Sequence, residues 1–386
     1  MKSSGAKIGD YVICYAVSWY CVISLFLTIL MKVNILSMEN QTSYRVMMTA
    51  IPMSIAIIIG IKRKPTLFII SYLFVIAVLI ITIGVFPENQ PFVVELGTRF
   101  LLPVCLSSAL CLMSVYEMEV LYKSLKIVAY VAFFLALLFF VLYMRGLFFI
   151  DDYSMNFSYS CLLPMLVLYN EKKKHSIFFS IFLFLMVIAI GSRGAAVAFL
   201  GYVVYDLFFS SNKKRWWVLL LGIIVIVLLP SFGSFLSSIG ITSRTLSMIE
   251  SNDITNDTGR NFIQSRALQL IAEHPFGLGI YGDRANIDAY CHNIVLELMV
   301  DFGWIIGGVI CLYGFFMLLK IYKMADKEGR NYLVLITMVG LFPFFFSGSV
   351  FQSAEPWWVI GYSVLLYNNI KTKRRIKNEE NRAIIC

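Results

Sequence analysis

A histidine, an asparagine and two acidic residues stand where one long apolar stretch begins. The segment AYCHNIVLEL, residues 289–298, carries His292, Asn293 and Glu297, and Asp301 follows four positions later. In a helix, Asn293, Glu297 and Asp301 share one face, with His292 adjacent. A helix N-terminus lowers the pKa of a histidine and favours the neutral imidazole that a general base requires. The same spacing also fits a histidine N-cap followed by exposed acids, so base and cap both stay open.

Arginines at helix starts indicate an anion site. Arg193 lies in the turn GSRGA between two apolar runs, where backbone N–H groups of the next helix would attract the same anion. Arg260 begins a polar helix predicted for residues 260–273, and Arg266 lies on the same segment. The planar guanidinium binds phosphate through two parallel hydrogen bonds. An enzyme that holds a phosphorylated lipid would use such side chains.

The end of that polar helix is marked by the sequence EHPFGLG, residues 273–279. Pro275 and the two glycines stop the helix and allow a close backbone approach. We interpret His274, at the C-terminal end of the helix, as a cap rather than as a catalytic residue.

The elements that must position these residues are membrane helices. Of the 386 residues, 59% are hydrophobic and 15% aromatic, and the mean hydropathy is +0.80. A helix needs roughly 20 apolar residues to cross a bilayer. Twelve candidate runs lie near residues 11–33, 44–61, 66–86, 95–115, 121–143, 154–169, 176–191, 194–209, 216–235, 303–321, 332–350 and 356–370. The sixth run is interrupted by Pro164. The eight cysteines have no paired or metal-ligand spacing and fit small core residues.

The basic loops predict the orientation of these helices. Threading twelve crossings puts the Lys/Arg clusters on one side, which the positive-inside rule assigns to the cytoplasm together with both termini. We interpret the first run as a retained anchor. The sequence thus predicts an all-α polytopic protein of about 12 transmembrane helices, one integral-membrane domain over 1–386. One large external loop separates helices 9 and 10, and residues 236–302, with an interfacial helix, carry most of the site.

The predicted outer side is rich in arginine. It holds a single lysine, Lys32, and eight arginines: Arg45, Arg99, Arg145, Arg193, Arg244, Arg260, Arg266 and Arg284. As an alternative to phosphate binding, such arginines pair with nearby carboxylates, as Arg99 could with Glu95 one helical turn away, or reach lipid headgroups.

These motifs resemble those of the O-antigen polymerase and O-antigen ligase superfamily of bacterial envelope enzymes, both in their order along the chain and in their predicted position on the outer side of the membrane. The resemblance covers roughly residues 176–322. It rests on residues 192–195 (SRGA), Gly259-Arg260, residues 274–279 (HPFGLG), His292-Asn293, and Gly303 after nine further residues. The small or polar residue that the family has three places after this glycine is Ile306 here, and Gly307 comes one position later.

The resemblance implies a role for each candidate residue. Arg193 and Arg260 would contact the diphosphate of the lipid donor, and Arg266 is a weaker candidate. His292 would activate the acceptor hydroxyl, supported by Asn293 and Glu297. No metal and no cofactor is expected; the first external loop holds only Glu39 and lacks the paired acids of metal-dependent lipid-sugar glycosyltransferases.

The predicted function is that of an O-antigen or capsule polymerase in the bacterial cytoplasmic membrane. It would transfer a growing glycan from undecaprenyl diphosphate to a lipid-linked repeat unit on the outer face. The expected partners are these lipid-linked glycans, membrane lipids, a chain-length regulator and a flippase, and no nucleic acid. Two alternatives remain: an O-antigen ligase, which passes the glycan to lipid A core or protein, and a lipid-linked oligosaccharide flippase. Transporters usually carry inverted repeats and mid-membrane charges, which this sequence lacks.

Overall fold

The computed structural model of the protein describes residues 4–147, 155–190, 193–209 and 259–385. All regular elements in these ranges are helices, with no strand among them, which confirms the all-α prediction for this part of the chain. The helices form two compact units. The first is drawn from Met1–Val17, Thr49–Tyr122 and Gly259–Cys386, and the second from Ser18–Met48 and Lys123–Thr258.

The helices are numbered here in chain order over the described ranges. Their bounds are α1 Ser4–Lys32, α2 Gln41–Arg63, α3 Pro65–Val85, α4 Pro87–Met113, α5 Met118–Met144, α6 Met155–Glu171, α7 Lys174–Ile190, α8 Arg193–Phe209, α9 Arg260–Glu273, α10 Gly282–Ile287, α11 Ile294–Met324, α12 Lys327–Gly340 and α13 Glu355–Ile385. Within α4, Val93–Leu106 has π-helical hydrogen bonding around Pro103. Short 3₁₀ turns cover Met38–Asn40 and Phe342–Phe345.

Six of these helices are long and apolar enough to cross a membrane: α1, α2, α3, α4, α5 and α11. Two shorter apolar helices, Lys174–Ala189 and Gly194–Phe209, fall on the seventh and eighth predicted runs. The predicted run 216–235 and the loop residues 236–258 lie outside the described residues. The chain is therefore a helical membrane protein.

The predicted span at 332–350 is wrong in its second half. Helix α12 ends at Gly340, and the chain continues through the 3₁₀ turn Phe342–Phe345 and irregular backbone until α13 begins at Glu355. Pro343 has no N–H to continue a helix. A side chain at Gly340 would overlap the Glu355 carbonyl, so the two helices meet backbone to backbone at this point. Backbone polar groups of residues 345–350 are therefore available to side chains of other elements.

The second part of α11 presents apolar side chains outward. Val309, Leu312 and Phe316 are about 60% exposed. On a helix long enough to span the bilayer, such a face is expected to contact lipid. The other end of α11, nearer its start, is instead packed into the first unit.

Two apolar clusters of the first unit fix the elements around His292. Helix α9 contributes Ala267 and Leu270 to one of them, together with Leu278, Cys291 and Val300. The second cluster joins α3 and α4 to the start of α11 and to the irregular segment after α12; its buried members are Leu79, Val93, Leu101, Cys105, Ile280, Tyr281, Ile294, Phe344, Val350 and Phe351. The polar segments that carry the candidate residues are thus held by burial on their apolar sides.

Candidate active site

The turn after α9 is locked against a bend in α11. Gly277 and Gly303 have φ values of 83° and 77°, in the left-handed region where glycine is favoured. A Cβ at Gly277 would overlap the Asp301 carbonyl and the Gly303 nitrogen, and one at Gly303 would overlap the Pro275 carbonyl. The amides of Leu278 and Gly279 donate to the carbonyls of Val300 (2.9 Å) and Asp301 (2.8 Å). The glycines of the HPFGLG motif therefore allow the backbone of this turn to contact the backbone of α11 directly.

Helix α11 consists of two helical pieces joined at Gly303, which has non-helical φ and ψ of 77° and 160°. The pieces fold toward each other, because a Cβ at Gly307 would lie 2.6 Å from the Leu298 carbonyl oxygen. Gly307 therefore allows a close approach that a side chain at this position would prevent. The bend separates residues 294–302 from the rest of α11, and the placement of residues 291–302 at or above the outer membrane interface stays a prediction.

Asn293, and not His292, is the N-cap of α11. Its side-chain oxygen accepts from the amides of Val295 (2.9 Å) and Leu296 (3.3 Å), and its side-chain nitrogen donates to the Phe345 carbonyl at 3.3 Å. The cap leaves His292 one residue outside the helix, with a left-handed φ of 54°. Asn293 therefore supports His292 by fixing where the helix begins.

Glu297 and Asp301 do not face a water-filled cavity, contrary to the prediction. Their exposed fractions are 1% and 2%. Glu297 accepts from the Ser349 hydroxyl and from the Val350 amide at 2.9 Å. Asp301 accepts from the amides of Tyr281 (3.2 Å) and Gly282 (3.1 Å), at the start of α10. A buried carboxylate is retained where backbone donors satisfy it, so both acids bind neighbouring segments to α11.

A buried arginine that sequence reasoning left out of the site lies beside these acids. Arg284 is only 6% exposed. Its Nη1 donates to Asp283 Oδ2 at 2.7 Å, and its Nη2 lies 3.9 Å from Glu297 Oε1. Nη2 is buried and has no hydrogen-bond partner within the described part of the chain. Arg284 was one of the eight arginines of the predicted outer side, and that count was the only signal for it.

Tyr290 connects Arg284 with His292. The Arg284 guanidinium carbon lies 5.0 Å from the centre of the Tyr290 ring. The Tyr290 and His292 ring centres are 3.9 Å apart, with the planes tilted by 43°. The amide of Cys291, between them in the chain, donates to Asp283 Oδ2 at 3.1 Å. Asp283 therefore anchors both the arginine and the backbone next to the histidine.

The His292 imidazole is neutral at physiological pH. Burial is the largest cause that lowers the pKa of His292, and together with the nearby charges of Arg260 and Arg284 it brings this pKa to about 4. The predicted direction of this pKa shift is confirmed, although its causes are burial and two arginines. The Nδ1 atom is buried and has no hydrogen-bond partner in the described ranges. The ring as a whole is only partly buried, so we take Nε2 as the accessible nitrogen.

Arg260 lies close enough to affect His292, whereas Arg266 has no comparable contact. Arg260 is the first residue of α9, after Gly259 with φ 78°, and its Nη1 donates to the Phe346 carbonyl at 3.2 Å. Arg266 is half-buried on α9 and makes no hydrogen bond or ion pair within the described residues. His274 is the exposed C-cap residue of α9.

Arg193 belongs to the second compact unit, where it is the first residue of α8. The next residue, Gly194, packs against Tyr159 of α6, since a Cβ there would lie 2.7 Å from the tyrosine hydroxyl. The position at a helix start agrees with the prediction. The Arg193 side chain lies outside the described residues, and its meeting with His292 stays a prediction.

The described residues contain no group of three or more His, Cys, Asp or Glu side chains arranged to hold a metal ion. The acids nearest to His292 are occupied by Arg284, by Ser349 and by backbone amides. Among the described residues, the candidate site thus consists of the neutral imidazole of His292 and the guanidinium groups of Arg260 and Arg284.

Comparison with known families gives one match over this region. Residues 178–312 match the family model Wzy_C, described as O-antigen ligase. The matched stretch contains most of α7, all of α8 to α10 and the bend of α11, and with them every candidate site residue. The resemblance seen in the sequence motifs is thereby confirmed. A comparison with curated proteins finds no match.

Proposed function

Because residues 178–312 belong to the O-antigen ligase and polymerase superfamily, we propose that the protein is a polymerase of O-antigen or capsule glycans. It transfers a growing glycan from undecaprenyl diphosphate to a lipid-linked repeat unit. The reaction takes place at the outer face of the bacterial cytoplasmic membrane, and both termini are cytoplasmic. A chain-length regulator and a flippase are the proposed protein partners.

The observation that carries this proposal is the neutral, partly exposed imidazole of His292 next to two arginines. Arg260 and Arg284 are both near enough to lower its pKa. General base catalysis on a hydroxyl needs an unprotonated imidazole. A diphosphate leaving group needs fixed positive charge. The first unit supplies both within one region of the chain.

The transfer step is a substitution at the anomeric carbon of the donor sugar. The hydroxyl of the acceptor sugar gives its proton to His292 Nε2 as its oxygen bonds to that carbon. The bond from the carbon to the diphosphate oxygen breaks, and the electron pair leaves with the undecaprenyl diphosphate. Arg260, with Arg193 and Arg266 as further proposed contacts, holds the diphosphate and stabilises the charge that develops on it.

Donor binding would strengthen the base. A diphosphate placed at Arg260 offsets the positive charge that lowers the pKa of His292, so this pKa rises toward its ordinary value. A higher pKa gives the imidazole greater affinity for the hydroxyl proton near neutral pH. Donor binding thus makes His292 a stronger base by offsetting the contribution of Arg260, while burial remains the largest cause of its low pKa.

Replacing Arg260 with glutamine is expected to move the pH profile and to slow the reaction. Loss of its charge raises the pKa of His292 in the free protein, so the acid limb of kcat/KM moves to higher pH. The lost diphosphate contact lowers kcat/KM at pH 7 by about 10- to 1,000-fold. Both effects are measured on purified protein with a lipid-linked glycan donor between pH 4 and 8.

Two companion variants sharpen this test. Arg260→Lys keeps the charge and should leave the acid limb near its original pH, while kcat/KM still falls because the guanidinium fork is gone. Arg99→Gln removes an exposed arginine already paired with Glu95 at 2.8 Å and should change neither quantity. If the acid limb of kcat/KM lies at the same pH in Arg260→Gln and in the unaltered protein, the charge of Arg260 does not lower the pKa of His292 as proposed.

Reconstitution in vesicles distinguishes the three candidate activities. With a polyprenyl-diphosphate-linked repeat unit as the only glycan, a polymerase produces a ladder of lipid-linked polymer. A ligase produces nothing until lipid A core or an acceptor protein is added. A flippase moves the repeat unit across the bilayer without making new glycosidic bonds. We expect the ladder, and its absence in the presence of donor and folded protein would reject the polymerase assignment.

A further inference from the structure

Tyr290 and Arg284 are arranged as a support for the catalytic base. We propose that both are positioning residues: Arg284 holds the Tyr290 ring, and that ring fixes the His292 imidazole in its working orientation. This assignment rests on the proposed role of His292 and adds two residues that neither the sequence motifs nor the family resemblance pointed to.

The first step is the contact between the two rings. Their centres are 3.9 Å apart, which is closer than most aromatic pairs, and the planes are tilted by 43°. His292 has a left-handed φ of 54° and lies outside α11, which begins at Ile294. Nδ1 has no hydrogen-bond partner in the described part of the protein. The ring contact with Tyr290 therefore takes the place of the hydrogen bond that usually orients a catalytic imidazole.

The second step is the anchoring of Tyr290 by Arg284. The guanidinium carbon lies 5.0 Å from the Tyr290 ring centre, within the range of a cation–π interaction. Arg284 itself has little freedom, since it is 6% exposed and pairs with Asp283 at 2.7 Å. The position of the tyrosine is thus determined by a side chain that the protein interior fixes.

The third step is the backbone between these residues. Asp283 Oδ2 accepts from the Cys291 amide at 3.1 Å, which ties the chain directly before His292 to the same carboxylate that holds Arg284. Asn293 caps α11 directly after it. With both chain neighbours fixed, the remaining freedom of His292 is rotation of its side chain, and the Tyr290 ring limits that rotation.

The charges around the imidazole come from two helices. Arg260 lies at the start of α9 and Arg284 in α10, and both lower the pKa of His292. Asp283 and Glu297 lie next to Arg284, at 2.7 Å and 3.9 Å from its guanidinium nitrogens. Replacing Arg284 by glutamine therefore changes the His292 environment even where the fold is retained.

The test reads out His292 directly, without substrate. The chain has three histidines, so the substitutions His175→Gln and His274→Asn leave His292 as the only one. NMR of the ¹⁵N-histidine-labelled protein then follows its titration. In this background we expect the midpoint near pH 4 to move to higher pH in Arg284→Gln, because a cation is lost, and in Tyr290→Leu, because the ring becomes more hydrated.

Kinetics with the unaltered histidines provide the second readout. Tyr290→Leu should lower kcat by about 10-fold or more with little change in KM, because a misoriented base slows chemistry without weakening donor binding. Tyr290→Phe keeps the ring and should restore most of kcat. Tyr313→Leu removes a tyrosine that is 67% exposed on α11 and serves as the matched control.

The outcomes separate this assignment from the proposed function. If the variants shift the titration but the unaltered protein makes no glycan, the positioning role is supported and the polymerase assignment is rejected. An unchanged titration and an unchanged kcat in Tyr290→Leu would overturn the positioning role and leave the polymerase intact. Arg284→Gln leaves Asp283 buried without its cation, so this variant could fail to accumulate. In that case the comparison of Tyr290→Leu with Tyr290→Phe decides the positioning role.

Discussion

Alanine in place of His292 is expected to lower glycan transfer by about 10²- to 10⁴-fold, the usual contribution of a general base. The acceptor hydroxyl then loses the only neutral imidazole that lies beside Arg260 and Arg284 in the described residues. The amount of protein in the membrane should be unchanged, because the side chain is only partly buried and its Nδ1 has no hydrogen-bond partner among the described residues. Polymer length and initial rate in reconstituted vesicles measure the effect.

His274→Asn is the control for this experiment. His274 lies in the same unit, is exposed, and ends α9 as its C-cap, a position that asparagine also accepts. Its activity should stay within about twofold of the unaltered protein, as for most surface substitutions. Robust high-mass polymer from His292→Ala would rule out the assigned base.

Replacing Gly303 with alanine is expected to destabilise the first unit by at least about 3 kcal/mol. The φ of 77° is unfavourable for any residue with a Cβ, and the added carbon would overlap the Pro275 carbonyl. The backbone at both sides of the contact cannot move away as a flexible side chain could. We expect a lower unfolding midpoint in detergent and loss of glycan transfer, since the 275–279 turn leads into α10 and His292.

Gly308→Ala is the matched control, five residues further along the same helix. A Cβ there meets nothing within 4 Å. Alanine at a helical position normally stabilises by about 0.5–1 kcal/mol relative to glycine. Equal unfolding midpoints for Gly303→Ala and Gly308→Ala would mean that the bend tolerates a side chain and that the contact with the turn is not needed.

The sequence predicts the helices of this fold well. Apolar runs of about 20 residues have few alternatives in a membrane, and the polar helix at 260–273 has both a glycine before it and a His-Pro stop after it. The span at 332–350 was overpredicted because hydropathy alone does not weigh Pro343 against its apolar neighbours. Its irregular backbone is tied to the site by Asn293, Arg260 and Glu297, which lie 50 to 90 residues away in the chain.

The site was predicted in part. Glu297 and Asp301 lie one helical turn apart on α11, as their spacing predicts, whereas Asn293 precedes the helix as its N-cap; spacing does not tell whether such residues meet water or protein. The partners that bury Glu297 and Asp301 come from other segments, Ser349 and Tyr281 among them. Arg284 was missed because a single arginine in a short helix carries no local pattern. Its role follows only from three-dimensional contacts with Asp283 and Tyr290.

The contact between Gly277 and Gly303 has a mechanical consequence for the whole site. Glycines are commonly associated with flexibility, yet here the absence of two side chains lets peptide planes touch and leaves nothing between them to be rearranged. Interiors packed at such closeness transmit displacement instead of absorbing it. The turn at 275–279 and the bend of α11 are therefore expected to move together, and a tilt of α11 would carry the proposed base with it.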